Sequence, residues 1–286
     1  MTIFELLRML EKELAKARIS SPHLDAEVLL SLVLKKDRSY VLARGFDRIS
    51  PAIEHATQAM LARRLRHEPI AYIRGYQLFY GRLFAVNRHT LIPRGETELI
   101  IEKLVQELPH SWNGTFIDVG TGSGALAVTL ANEFPHAQVV AIDNSVGALA
   151  VARVNARRNH VSKRIKFLHG NLLKPLIKKL PRLTQPYLLV ANLPYVPTKI
   201  WKRSERQVCA FEPRTAIDGG ADGLKYYREL LRQLKKTRVF PAVLWSEINS
   251  TQKRSFPALI SNYFPDASVA VFKDLNNHAR LVRAIF

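Results

Sequence analysis

An α/β domain with a mostly parallel sheet, preceded by a small helical bundle, is the architecture this sequence predicts, and three observations carry it. Over about the first 70 residues, apolar side chains recur at helical spacing behind cap residues. Beyond residue 90, short β-type runs alternate with helical patterns, the order that builds strand–helix–strand units. The clearest of those runs are apolar almost throughout, which suits strands covered on both faces.

The elements follow in order. Thr2 with Glu5 makes a capping box ahead of the stripe Ile3, Leu7, Leu10 and Leu14. Ser21-Pro22 places a cap and a first-turn proline before Leu24, Val28, Leu29 and Leu32, and Ser50-Pro51 repeats the device before Ile53, Met60 and Leu61. Short polar connections between these helices suggest a bundle over residues 1–72. Residues 73–90 carry Tyr76, Phe79, Tyr80, Phe84 and Val86 around Gly75 and Gly81, and read as a β-hairpin or an extended linker. Residues 91–286 then hold the sheet. Its strands are expected at Phe116–Val119, Val139–Asp143, Leu188–Val190 and Val239–Ile248, with Val269–Phe272 and Leu281–Phe286 closing it as a hairpin.

A chain of 286 residues, 47% hydrophobic and 23% charged, has room for two domains with real cores. No apolar run reaches the roughly 18 residues of a membrane span, and Met1-Thr2-Ile3-Phe4-Glu5 lacks the layout of a secretion signal. The single cysteine, Cys209, rules out an internal disulfide; a packed thiol in a reducing cytoplasm is the expectation. The histidines show no paired metal spacing, so no metal is expected.

The abnormal bulk quantity is a net charge of +19, which implies attraction to polyanions. Residues 151–182 hold ten Lys or Arg and no acid: Arg153, Arg157, Arg158, Lys163, Arg164, Lys166, Lys174, Lys178, Lys179 and Arg182. Aromatics do not interleave with these charges as a single-strand stacking platform needs, so a solvated basic face competes with a polyanion contact.

The strongest local signal is Asp118-Val119-Gly120-Thr121-Gly122-Ser123-Gly124, which follows a strand and opens a helix at Ala125. Glycines let the backbone turn sharply and approach a ligand with no Cβ in the way. The next strand ends in Asp143, 23 positions after Gly120 (143 − 120), a spacing that suits the vicinal hydroxyls of a ribose. A nucleoside-containing cofactor is therefore expected. Gly120, Gly122 and Ala125 leave a nicotinamide or flavin dinucleotide open. Gly124 and the acidic Asp118 favour S-adenosylmethionine, whose ammonium a carboxylate holds.

Ala191-Asn192-Leu193-Pro194-Tyr195 follows the strand Leu188–Val190 directly, where open α/β sheets bind substrate. Its residue types suit methylation of a planar NH2 nitrogen, a weak nucleophile because its lone pair is delocalised. The side-chain oxygen of Asn192 accepts from one N–H and the following carbonyl, that of Leu193, from the other. Pro194 stiffens that carbonyl, and Tyr195 offers a flat face. Positioning and hydrogen bonding carry such a reaction without a strong base. Glu247, at the end of a late strand, could face the active cleft, with a structural role the stronger expectation.

A glycine loop followed by an Asn-Pro-Pro-Tyr-type motif resembles the class I aminomethyltransferases, and the chain looks more specifically like the HemK/PrmC release-factor glutamine methyltransferases. The likeness extends to Ser21-Pro22-His23-Leu24-Asp25-Ala26-Glu27, Glu68-Pro69-Ile70-Ala71-Tyr72-Ile73, Leu91-Ile92-Pro93-Arg94-Gly95-Glu96-Thr97-Glu98 and Phe211-Glu212-Pro213-Arg214-Thr215-Ala216. This resemblance implies a Rossmann-like class I methyltransferase fold with a seven-stranded sheet and a bundle that helps recognise the release factor. It implies S-adenosylmethionine as methyl donor, S-adenosylhomocysteine as product, and the GGQ glutamine of class 1 release factors as acceptor in translation termination. Cofactor contacts would come from Gly120, Thr121, Gly122, Ser123, Gly124, Asp143, Asn171, Leu172 and Asn192. The glutamine would meet Asn192, Leu193, Pro194 and Tyr195. Leu193 stands where a proline is usual but keeps its carbonyl, Asn171 stands for an Asp, and Gly95 for a proline.

Other readings share parts of this pattern: a glutamine methyltransferase of a ribosomal protein, an adenine-N6 nucleic-acid methyltransferase, and a non-catalytic RNA- or ribosome-binding protein. The first shares the chemistry, the second would account for the charge but lacks a separate base-reading domain, and the third leaves the intact Asn192, Pro194 and Tyr195 unexplained.

Overall fold

The computed structural model describes residues 1–178, 180, 186–237 and 239–286; Lys179 and Arg182 of the basic segment lie outside the described residues. The chain divides into two compact units, one of residues 1–75 with 205–211, the other of 76–204 with 212–286.

In the first unit, helices α1 (Ile3–Lys16), α2 (Pro22–Leu34), α3 (Arg38–Ala43), α4 (Pro51–Leu65) and α5 (Ile70–Arg74) enclose a small core. Both halves of the Thr2–Glu5 capping box are made, and α1 buries Ile3, Leu6, Leu7, Leu10 and Leu14. Helix α4 is capped as expected, the Ser50 hydroxyl accepting from the Ile53 N–H. Helix α2 departs from expectation. Ser21 makes no cap; its hydroxyl donates to Asp25 Oδ1 at 3.0 Å instead. The buried face holds Asp25, Ala26, Glu27, Leu29 and Leu30, while Leu24 is 42% exposed. Apolar spacing misplaces this face because two acids inside it are neutralised by arginines. Arg64 Nε donates to Asp25 Oδ2 at 2.7 Å with both side chains buried, and Arg38 pairs with Glu27.

The second unit opens with a hairpin, β1 (Tyr76–Phe79) and β2 (Arg82–Ala85), over a two-residue turn. Tyr80 and Gly81 have φ of 47° and 70°, the paired left-handed conformation whose twist matches the strands. Residues 73 and 74, expected in the hairpin, finish α5 instead, with Gly75 as its left-handed cap.

After α6 (Glu98–Glu107) come β3 (Thr115–Val119), α7 (Ala125–Glu133), β4 (Gln138–Asp143), α8 (Val146–Arg158), β5 (Ile165–His169) and β6 (Tyr187–Ala191). The chain continues through α9 (Thr198–Trp201), α10 (Arg206–Phe211), which belongs to the first unit, and α11 (Lys225–Thr237). It ends with β7 (Val243–Glu247), α12 (Ser255–Tyr263), β8 (Ser268–Lys273) and β9 (Ala279–Ile285). The described strands form a seven-stranded sheet in the order β5-β4-β3-β6-β7-β9-β8, parallel from β5 to β7 and antiparallel at β9 and β8. The α/β fold with a mostly parallel sheet is thus as expected, including the closing hairpin. Residues 239–242 fall outside the strand expected from Val239, which starts at Val243.

Strand β5 was not foreseen. It lies inside the basic segment, with Lys166 and His169 exposed at the sheet edge, and charge on an edge strand hinders unwanted pairing. The apolar faces of the sheet pack into two cores. One gathers Phe116, Leu126, Leu130 and Phe134; the other Leu189, Tyr227, Leu231 and Phe256. Among the described residues no helix is long and apolar enough to cross a membrane.

Removing Asp25 would strand the buried Arg64 guanidinium. Asp25→Ala should destabilise the first unit by about 3 kcal/mol, as broken buried pairs do, measured by chemical denaturation. A change below the error of that measurement would show the pair to be solvated and dispensable.

Candidate functional site

Register brings the site together. Val119 of β3 stands level with Ile142 of β4 on one side and Ala191 of β6 on the other. The residues that follow, Gly120, Asp143 and Asn192, therefore leave the sheet together at its carboxyl edge. They border a pocket of about 320 Å³. Its walls include Asp118, Thr121, Gly122 and Ser123 from the loop, Asn171 and Leu172 beyond β5, and Leu193 and Pro194 beyond β6.

The loop is held from below by the Gly120 and Thr121 N–H groups, which both donate to the Ile142 carbonyl, at 2.8 and 3.0 Å. Gly120 has φ of 77°, a left-handed conformation that favours glycine, and a Cβ there would lie 2.9 Å from Leu193 Cδ2 and press on the tetrapeptide. Gly124, also left-handed, meets Ala152 of α8 where a Cβ would be 3.1 Å from the alanine methyl. It packs against that helix and is not among the residues lining the pocket.

Asp118 is buried at the end of β3. Its Oδ2 accepts from the Thr121 hydroxyl at 2.6 Å and the Ala127 N–H at 3.2 Å. Its Oδ1 is buried with no partner among the described residues. Burial pushes this carboxyl up to about 7, opposed by those two donors. Asp143 is also raised by burial, while the Ser145 and Gly122 N–H groups, each at 2.8 Å, hold one oxygen apiece. The Asn144 N–H also favours the ionised Asp143, and of the roughly four acceptor positions of a carboxylate at least one stays open.

Asn192 Nδ2 donates to Thr97 Oγ1 at 2.9 Å, and among the described residues its Oδ1 has no partner. The Thr97 hydroxyl donates to Glu247 Oε2 at 2.6 Å, and the Tyr195 hydroxyl to Glu247 Oε1 at 2.6 Å. Glu247 is buried and raised by desolvation, and Tyr195 is raised well above its ordinary value by burial and by Glu247. Tyr195 departs from its expected place: its hydroxyl is drawn to Glu247, and the residue is not among those lining the pocket. Gln252 Nε2 fixes the end of the tetrapeptide by donating to the Tyr195 carbonyl at 2.9 Å.

Two stretches picked out in the sequence meet here. Glu212 accepts from the Ile92 N–H at 3.0 Å and pairs with Arg94, which ties Glu212-Pro213 to Pro93-Arg94 beside the pocket. Within the same stretch Glu98 accepts from the Tyr80 N–H at 2.9 Å. Thr97 lies in the Pro-Arg-x-Glu-Thr-Glu string, whose pattern gives it no role of its own, and Glu247 reaches this network from the end of β7. Among the described residues no group of three or more His, Cys, Asp or Glu could hold a metal.

Family models match the chain as the PrmC N-terminal domain over residues 5–75 and as the methyltransferase small domain over residues 94–182. A release factor glutamine methyltransferase of Geobacter sulfurreducens is 38% identical, over 79% of this chain and 77% of its own length. One from Staphylococcus aureus is 35% identical over 90% of both chains. A bifunctional methyltransferase of Rickettsia felis is 32% identical over 98% of this chain, which spans 57% of that protein. Among solved structures, the hMettl16 catalytic domain in complex with a MAT2A 3'UTR hairpin superposes with a TM-score of 0.55. That match, at 15% identity over 72% of this chain and 76% of that one, is a likeness of fold.

The raised Asp118 carboxyl gives a signed expectation. It ionises near 3.8 when unfolded and near 7 when folded, so its ionisation favours the unfolded chain. A stability penalty of up to about 4 kcal/mol accrues as pH rises from about 4 to about 7. Asp118→Asn should therefore unfold at a higher temperature than the parent at pH 8, with most of the gain gone at pH 4.5. Equal melting temperatures at pH 8 would place the carboxyl in contact with water.

Proposed function

The chain belongs to the release factor glutamine methyltransferase family, and we propose that it transfers the methyl group of S-adenosylmethionine to the side-chain amide nitrogen of the GGQ glutamine of a peptide-chain release factor. The observation that carries this reading is Asn192: its Oδ1 is open, its Nδ2 is engaged, and it lines the pocket that Gly120 to Ser123 also line. An acceptor so placed suits an NH2 donor.

The residues present fit the cofactor. Asp118 Oδ1, buried and without a partner, suits an ammonium. The remaining acceptor capacity of Asp143 suits a ribose hydroxyl, and Asn171 and Leu172, which line the same pocket, are residues that would meet the adenine. When bound, the cofactor supplies a methyl group activated by a cationic sulfur, so no strong base is required.

The chain's own task is to shape the nucleophile. Asn192 Oδ1 and the Leu193 carbonyl each accept one amide N–H, which draws the nitrogen toward a tetrahedral geometry and frees its lone pair toward the methyl. With the cofactor bound, the methyl would leave the sulfur for the amide nitrogen held by Asn192 and Leu193, and the displaced amide proton would go to solvent. Leu193 is buried, which fixes its carbonyl without the proline usual at that position.

Exposed and acid-free, Arg153, Arg157, Arg158, Lys163, Lys166, Lys174 and Lys178 support contact with a polyanionic surface. Retention on heparin that does not fall steeply with salt would sink that partner.

The deciding experiment supplies methyl-labelled cofactor with a release factor, its GGQ Gln→Ala variant, and DNA. Label should enter the first alone; label in DNA, or equally in both release factors, would overturn the assignment. Asn192→Ala should lower turnover by roughly 100-fold while leaving cofactor affinity by calorimetry within about twofold. Full turnover in that variant would refute the role of Asn192.

A further inference from the structure

Beyond the tetrapeptide, the structure contains a line of hydrogen bonds that decides which end of the Asn192 amide faces the pocket. We propose that Glu247 and Thr97 are positioning residues that lock Asn192 with its oxygen toward the substrate amide. The inference rests on the acceptor role given to Asn192 above and deepens it.

A count of protons carries the argument. In its ionised form, which the Arg280 charge favours against burial, Glu247 has no proton to give and only accepts, from Thr97 at Oε2 and from Tyr195 at Oε1, each at 2.6 Å. The Thr97 hydroxyl has one hydrogen and commits it to Glu247. Its Oγ1 can then only accept, and the group 2.9 Å away on Asn192 must be the NH2. Turning the amide over would set two acceptor oxygens against each other at that distance. Asn192 Oδ1 is thereby left for the pocket, which Thr97 also lines.

The lock is stiff because its parts are buried. Glu247 and Thr97 are 1% and 4% exposed, so water cannot stand in for either partner. Glu247 ends β7, next to the strand that leads into Asn192, and Thr97 closes a turn of 3-10 helix at Gly95–Thr97. The Tyr227 hydroxyl donates to the Glu247 carbonyl, holding that strand end from the other side. A glutamine at position 247 would have a single acceptor oxygen for two hydroxyl donors. With the carboxamide NH2 facing Thr97, the threonine oxygen accepts from it and the hydroxyl regains a proton to offer Asn192.

The test measures kcat and KM for a release factor carrying the GGQ loop, with cofactor affinity by calorimetry. Thr97→Val should lower kcat roughly tenfold or more, with KM and cofactor affinity within about threefold, and Thr97→Ser should restore most of the loss. If the valine variant fails to bind cofactor, Thr97→Ala carries the same expectation. Glu247→Gln should cost a similar factor in the parent but less than about twofold in the Thr97→Val background, since its effect on turnover runs through Thr97. Parental kcat in Thr97→Val, no rescue by serine, or an equal cost of Glu247→Gln in both backgrounds would overturn the lock. Asn192→Ala separates the two levels: if it keeps full turnover, the acceptor role falls, and if it alone loses turnover, only the lock falls.

Discussion

The level register of three neighbouring parallel strands is the constraint on which the site depends. Because Val119, Ile142 and Ala191 stand side by side, the chain leaves the sheet at one height on β3, β4 and β6. A slip of one residue on any of them would turn its inward side chains outward and separate Gly120, Asp143 and Asn192. The register is protected by the cores on both faces, where burying Phe116 and Leu188 on one side and Ile117 and Leu189 on the other leaves little tolerance for displacement. The pocket is thus a product of sheet packing, and the loop glycines adapt the backbone to it.

Buried carboxylates are used in two ways. In the first unit, Asp25 and Glu27 face arginines, so their charge is compensated and the result is structural. In the second, Asp118 and Glu247 are buried among neutral donors, which leaves both raised above the ordinary carboxylate range. Asp118 keeps one oxygen unpartnered beside the pocket, whereas both Glu247 oxygens are taken by hydroxyls. The first arrangement leaves capacity for a cationic ligand; the second directs the hydrogen bonds of its neighbours. Stability given up at Asp118 is consistent with a site prepared for a charge the chain itself does not supply.

Much of this was legible in the residues because the signals are local. The glycine loop, the acid 23 positions after Gly120 (143 − 120) and the Asn192 to Tyr195 stretch each sit within or beside one strand end, and strand, turn and helix patterns are short-range. Strand β5 escaped because its edge position lets lysine and histidine replace the apolar run that marks a central strand. The buried face of α2 was misplaced for a related reason: charge reads as surface until its partner is known, and Arg64 lies 39 positions from Asp25.

From the sequence alone followed the helical bundle, the mostly parallel α/β sheet, the residue types at its carboxyl edge and the family likeness. Tertiary structure alone decided that Tyr195 turns to Glu247, that Arg94 meets Glu212, and that Thr97 stands between Glu247 and Asn192. Thr97 and Glu247 are 150 positions apart, and no periodicity or motif spacing encodes a hydrogen bond across that distance. Such a bond exists only once the sheet has closed and water has been excluded from the donors and acceptors it brings together.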